Sequence, residues 1–473
     1  MCSLTVCAYS SSLPWPRGLP LPIAANNSDY TSCADAAWPP SEVGMELVPR
    51  APDDELQEML AEVDHERVKA IIEKLVSFGT RHTLSNQTDP WRGIGAARDW
   101  IASEMRGFAA TSDGRMSVAV PGYVQGVASR ILFPTLISNV VATLKGSTDP
   151  SRVYVITGHY DSRVTDVLNF FSDAPGADDD ASGVAVMMEL CRVMASKKPK
   201  ATIIFGAVAG EEQGLYGSAF LAQTLKNAST NVEGMLNNDI VGSSTGDRKQ
   251  KDPFTIRVFA QGPPLTESTA KTAQRLTIGA ENDSPARELA RFSTEVAANN
   301  ATGMDIAIVY RLDRYLRGGD HSSFLQQGYA AVRYTEPNEN FAHQHQDVRI
   351  EDGVQFGDLP EFVDYEYVAR VARVNLATMW SLANAPGIVQ NVTVNSTLLS
   401  NDSQFSWLSS NDTSLHGYEI VWRPTTAPLW THMVPVGKVN TVTLPLSKDN
   451  VLFGVRAVGS NGYKSPAVIP FPG

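Results

Sequence analysis

The sequence predicts an α/β domain on a mostly parallel mixed sheet flanked by helices, followed by a small all-β sandwich. Two observations carry this reading. Short apolar runs alternate with helical periodicities through the middle of the chain, and short turn-separated segments fill its last part. At 473 residues the chain is too long for one ordinary core. Composition divides it into an irregular N-terminal arm over residues 1–50, the α/β domain over 51–385 and the β domain over 386–473.

The arm is rich in Pro, Ser and Ala and has no sustained period. From Asp53 a helical pattern begins, with Leu56, Met59, Leu60, Val63, Val68, Ile71, Ile72 and Leu75 at three-to-four spacing, ending at Phe78-Gly79. A second helix is expected over 94–105. Val153 to Thr157 reads as a buried strand, Ser182 to Met194 as a helix and Thr202 to Val208 as the next strand. A helix over 213–225, strands over 234–240 and 255–260, and a closing helix over 367–383 complete the α/β pattern. Beyond Ala385-Pro386-Gly387, strands are expected over 389–394, 404–408, 418–423, 441–444 and 451–458, between turns rich in Asn, Asp, Ser and Gly.

Composition excludes some roles. A formal charge of -12 and a pI near 5.2 argue against a nucleic-acid partner, whose footprint would be basic. No apolar run reaches the roughly 18 residues that span a bilayer. The cysteines Cys2, Cys7, Cys33 and Cys191 form no C-x-x-C pair, so a zinc ribbon is excluded. The first 25 residues make a poor secretion signal, with prolines at 14, 16, 20 and 22 and no basic start. Glycosylation sequons point outward instead. They stand at Asn26, Asn86, Asn227, Asn282, Asn300, Asn391, Asn395, Asn401 and Asn411, and favour a secreted, N-glycosylated protein.

The run Gly176-Ala177-Asp178-Asp179-Asp180-Ala181-Ser182-Gly183 sets three carboxylates side by side, which repel one another unless a cation is present. Gly158-His159-Tyr160-Asp161-Ser162 precedes it. Ala209-Gly210-Glu211-Glu212-Gln213-Gly214, Asn238-Asp239 and His343-Gln344-His345 follow. Each alone has an ordinary structural reading: a satisfied histidine, a helix cap, a turn-forming Asp. Together they fall at the carboxyl ends of successive expected strands, where open α/β sheets bind ligands. Such an ordered set of His, Asp and Glu is the inventory of a two-metal hydrolytic site. Gly242-Ser243-Ser244-Thr245-Gly246 fits a serine-nucleophile pattern, but polar residues follow where a helix should begin.

These motifs resemble the co-catalytic di-zinc aminopeptidases, the family of aminopeptidase Y and the secreted bacterial leucyl aminopeptidases. Ser77-Phe78-Gly79-Thr80-Arg81 and Gly319-Asp320-His321-Ser322 resemble its accessory motifs, and the resemblance spans roughly residues 60–385. It implies the zinc exopeptidase fold and two Zn²⁺ ions bridged by Asp179. His159 and Asp239 would hold one ion, and Glu212 with a late His the other. Glu211 would be the general base, and Asp161 would accept a hydrogen bond from the His159 imidazole. His345 is favoured over His343 as the last ligand, with Val348 to Gly357 read as an insertion after it. Asp320-His321 is expected beside the site rather than in it. Trp407, Gly417-Tyr418-Glu419-Ile420 and Val455-Arg456-Ala457-Val458 resemble a fibronectin type III domain, which could contact a surface or glycan.

The implied substrates are peptides or proteins with a free N-terminus. Alternatives on the same fold are a glutaminyl cyclase, or a carboxypeptidase for which Arg333 or Arg349 would have to supply a cationic pocket. A non-catalytic scaffold is the alternative of a different class, and retention of Glu211 and all five ligand candidates speaks against it.

Overall fold

The computed structural model describes residues 43–473, so the leader, Asn26, Cys2, Cys7 and Cys33 lie outside the described residues. Four parallel strands form the middle of an eight-stranded sheet: Ala331–Thr335, Asn231–Asn238, Asp149–His159 and Ala201–Val208, in spatial order. Val140–Leu144 pairs antiparallel with the last, and Met116–Ala119 pairs antiparallel with Val140–Leu144. On the other side Thr255–Ala260 runs antiparallel to Ala331–Thr335, and Asp305–Val309 lies parallel to Thr255–Ala260 at the edge. The sheet is mixed with a parallel centre, as the alternating pattern predicts.

Period-two alternation explains why the central strands read as unbroken apolar runs. Tyr154, Ile156, Ile203 and Phe205 enter the core on one face, while Val153, Val155, Ile204 and Val208 enter a second core on the other. The first face carries the helix Ala181–Ala195, in which every residue but Arg192 is buried. A helix apolar all round belongs inside. His65–Val76, Ile94–Ala109 and Tyr365–Asn384 pack around it. The second face is covered by Tyr216–Asn227 and His321–Gln326, which insert Leu221, Ala222, Phe324 and Leu325.

Two expected helices are corrected. The pattern starting at Asp53 is two helices, Asp54–Ala61 and His65–Val76. Asp64 breaks it: its side chain accepts from the Glu66 amide at 2.9 Å, capping the second helix for about 1 kcal/mol. The helix expected from Gln213 starts at Tyr216, because Gly214 and Leu215 take positive φ angles of 135° and 61°. The Glu pair therefore sits on a turn. The segment 348–357 is a hairpin of Arg349–Glu351 with Val354–Phe356. Cys191 is buried and has no disulfide partner among the described residues.

The last part of the chain forms two four-stranded sheets. One contains His432–Gly437, Leu415–Pro424 and Val451–Gly459, and Met45–Glu46 from the N-terminal stretch joins it antiparallel to His432–Gly437. The other contains Thr441–Leu444, Ser403–Ser406, Thr393–Val394 and Phe471–Pro472. Phe405, Trp407, Tyr418, Trp422, Phe453 and Val455 lie in their common core. The expected strand over 389–394 is reduced to Thr393–Val394, with Val389 and Val392 packed into that core from irregular backbone.

A buried ion network fastens these sheets to the helix Pro285–Ala297. Asp283 accepts from Arg291 at 2.9 Å and from Arg423 at 2.6 Å. Glu288 pairs with Arg291 and accepts from the Trp430 indole at 2.9 Å. Arg456 reaches Glu295 at 2.7 Å and Glu419 at 3.0 Å.

Burial raises the Glu288 carboxyl from 4.5 to about 7, against the pull of Arg291. A folded value above the unfolded one means that the protonated seam is the stabler one. Its contribution is complete below pH 4.5 and is lost as pH rises through 7. The Glu288→Gln variant is expected to lose less stability than wild type over that interval, by about 3 kcal/mol at most. Urea unfolding at both pH values measures this, and equal losses would remove Glu288 as the cause.

Candidate metal centre

The parallel strands deliver their carboxyl ends to one edge of the sheet. His159 ends the strand Asp149–His159, the turn bearing Glu211 and Glu212 follows Ala201–Val208, and Asp239 follows Asn231–Asn238. The Asp triplet leads into the helix Ala181–Ala195 between the first two.

The three Asp residues do different work. Asp180 caps its helix through the Gly183 amide (2.9 Å) and also accepts from the His159 amide (2.9 Å). It thereby ties the helix start to a strand end. Asp178 accepts from the Gly242 amide at 2.6 Å. Only Asp179 faces the imidazoles, with His159 Nε2 3.0 Å from one oxygen and His345 Nε2 2.8 Å from the other.

Two groups of metal-competent atoms result. His159, Asp179 and Asp239 form one, and Asp179, Glu212 and His345 the other, with ligand atoms within 4.8 Å of one another in each. Asp179 belongs to both. His345 Nε2 lies 2.9 Å from Glu212, whereas His343 stacks on the Phe362 ring at 3.7 Å. The structure brings His345 and not His343 to the site.

Asp161 departs from its expected role. The His159 Nδ1 lies 3.1 Å from the Asp161 backbone carbonyl and 3.7 Å from its carboxylate. The carboxylate instead accepts from the amides of Glu211 (3.2 Å) and Glu212 (3.1 Å) and from the Thr83 hydroxyl (3.0 Å). It shapes the Glu turn, and the imidazole is oriented by main chain. Asp320 and His321 lie in neither group. Asp320 is fully buried with neither oxygen hydrogen-bonded among the described residues, and burial lifts its carboxyl to about 7. His321 contacts the Leu312 carbonyl through Nε2 at 2.8 Å.

Several supporting roles were not read from the sequence. Asp358 accepts from the amides of both Asp178 and Asp179 at 2.8 Å. Arg333, fully buried, pairs with Asp239 at 2.9 Å and Asp313 at 3.0 Å. Arg163 pairs with Glu212 at 2.8 Å. Arg81 donates to the carbonyls of Tyr160, Pro175 and Gly176 at 2.8, 2.5 and 2.8 Å. It thus clamps the turn before the triplet, where Gly176 takes φ 51° and an added Cβ would lie 2.6 Å from the Asp179 carbonyl. Arg81 stood in an accessory motif, Asp358 directly after the segment 348–357 read as an insertion, and Arg333 among the candidates for a cationic pocket, but the sequence carried no sign of the partners they take here. Arg333 is thereby committed to Asp239 and Asp313, and Arg349 pairs with Glu351 on the hairpin. Neither lines the cleft that Asp179, Glu211, Glu212 and His345 share. Ser244 donates to Asp364 at 2.6 Å and begins no helix.

The donor set fits zinc. Two imidazoles and three carboxylates converge, and the buried Glu212 Oε1 is met by His345 Nε2 at 2.9 Å. Burial alone would lower His345, yet Glu212 and Asp179 hold it up to about 10. A setting that favours positive charge so strongly suits a divalent cation. Burial pushes Glu211 well above the usual carboxylate range; His159 opposes this, and Asp239, Glu212 and Asp320 add to it. Its carboxylate makes no hydrogen bond or ion pair among the described residues. With Asp179, Glu212 and His345 it lines a cleft of about 340 Å³.

Known proteins agree with this chemistry. The profile of Peptidase family M28 matches residues 139–351, which contain both groups. A "Probable zinc metalloprotease" of Pyrenophora tritici-repentis is 70% identical over 99% of this chain and 97% of its own length. One of Pyricularia oryzae is 64% identical over 98% and 95%. The crystal structure of the Legionella pneumophila LapA aminopeptidase has the same fold, with a TM-score of 0.51 and 19% identity over 73% of this chain and 79% of that one. Identity at this level along the whole chain, with the family profile lying over the site, places the protein in peptidase family M28 as a zinc metalloprotease.

Proposed function

We propose that the protein is a secreted aminopeptidase that holds two zinc ions, with Asp179 common to both. His159 and Asp239 would hold one ion, and Glu212 and His345 the other. The observation that carries the reading is that Glu211 faces the same cleft and belongs to neither group. Zinc bound there would supply a Lewis acid for the peptide carbonyl and would lower the pKa of the attacking water towards about 7.

The chain's own residues do the rest. Glu211, whose carboxylate no hydrogen bond ties up among the described residues, accepts the proton of the attacking water and returns it to the departing amine. Asp161 keeps Glu211 and Glu212 in register by holding both of their amides. Arg333 and Asp358 fix Asp239 and the Asp triplet against a rigid sheet edge. Secretion is supported by the sequons, since Asn86, Asn227, Asn300, Asn391, Asn401 and Asn411 are all exposed. The fibronectin type III reading of the β region is supported by its two four-stranded sheets on one core.

Leucyl anilide with a free amine should be hydrolysed, and its N-acetylated counterpart should not. Glu211→Gln should lower kcat on the former by about 10²–10⁴; cleavage of the acetylated substrate, or an undiminished variant, would reject the reading. Metal content by mass spectrometry should give two zinc ions per chain, unchanged in His343→Ala and reduced to one in His345→Ala. The reverse pattern would exchange the two histidines. Asp161→Ala should weaken zinc binding about 10–100-fold in a chelator competition, and an unchanged affinity would deny the turn its role.

A further inference from the structure

Outside the two ligand groups and Glu211, every charged side chain lining the cleft among the described residues is an arginine: Arg130, Arg163, Arg314 and Arg317. Two of them are committed to the protein. Arg163 gives Nε to Glu212 and Nη1 to the Val164 carbonyl, with Nη2 against His345. Arg314 donates to Asp313, Glu339 and the Gly318 carbonyl.

The other two keep donors to spare. Among the described residues Arg130 makes one hydrogen bond, from Nη1 to the Glu212 carbonyl at 2.8 Å. Arg317 reaches Glu339 at 3.1 Å and Gln344 at 3.4 Å, each through one terminal nitrogen. Glu339 also pairs with Arg257 and Arg314, so a single carboxylate answers three guanidinium groups. A guanidinium carries five N–H donors in a planar fork that matches a carboxylate.

We propose that this cleft selects peptides bearing a carboxylate close to the scissile bond, received by Arg130 and Arg317. The inference rests on the aminopeptidase reading and adds the substrate class. The carboxylate has two sources, an acidic side chain at the N-terminal residue or the free C-terminus of a dipeptide. A lysyl side chain at the same place meets uncompensated positive charge.

The test compares kcat/KM of the zinc-loaded protein on glutamyl, leucyl and lysyl anilides, and on Leu-Leu against its C-terminal amide. An acidic side chain is the source if glutamyl exceeds leucyl and lysyl, and a free C-terminus if Leu-Leu exceeds its amide. In either case Arg130→Gln and Arg317→Gln should lower the ratio of carboxylate-bearing to neutral substrate about tenfold. Arg349→Gln, away from the cleft, should leave it unchanged. Ratios near one in wild type, or ratios indifferent to both cleft variants, overturn the inference while leaving the aminopeptidase intact. Cleavage of no substrate at all overturns the aminopeptidase reading, and this inference with it.

Discussion

Burying many carboxylates at one sheet edge is the constraint from which the rest of this site follows. A buried carboxylate without partners costs several kcal/mol, and the chain meets that cost in two distinct ways. Asp178, Asp180, Asp161 and Asp358 accept from backbone amides. Among the described residues Asp179, Glu212 and Asp239 receive no amide at their side chains and are left to imidazoles and guanidiniums. The first set builds the frame. The second set is what the frame holds out to a cation.

The frame explains why an α/β sheet with a parallel centre serves this chemistry. Each parallel strand ends in a loop on the same side, so residues far apart in sequence meet without long connections. Asp180 makes the junction rigid by accepting from Gly183 at the helix start and from His159 at the strand end. Gly183 allows it, because an added Cβ there would lie 2.4 Å from the Asn238 carbonyl. Positions that look like catalytic ornament are therefore packing requirements too.

The β region is attached by charge as well as by apolar contact. Asp283, Glu288, Arg291 and Arg423 form one buried network with Trp430, and Arg456 joins Glu295 to Glu419. Removing one partner from such a network leaves its neighbour uncompensated, so the seam specifies one docking geometry. Met45–Glu46 strengthens the attachment by crossing into the β sheet before the chain enters the α/β domain.

The sequence by itself determined the class of fold, three of the four central parallel strands and most of the residues that the candidate site gathers. His159, Asp179, Glu212 and Asp239 were legible because each sits in a local unit, an apolar strand followed by a turn, whose geometry neighbouring residues set. The start of the helix after Glu212 was misplaced, since the positive φ of Leu215 leaves no periodic signal. Tertiary structure decided what depends on distant partners. It chose His345 over His343, moved the support of His159 from the Asp161 carboxylate to its carbonyl, and revealed Asp358 beneath Asp178 and Asp179. It also gathered Arg130, Arg163, Arg314 and Arg317 around one cleft. Side-chain direction and long-range pairing carry no periodicity, so packing alone could disclose them.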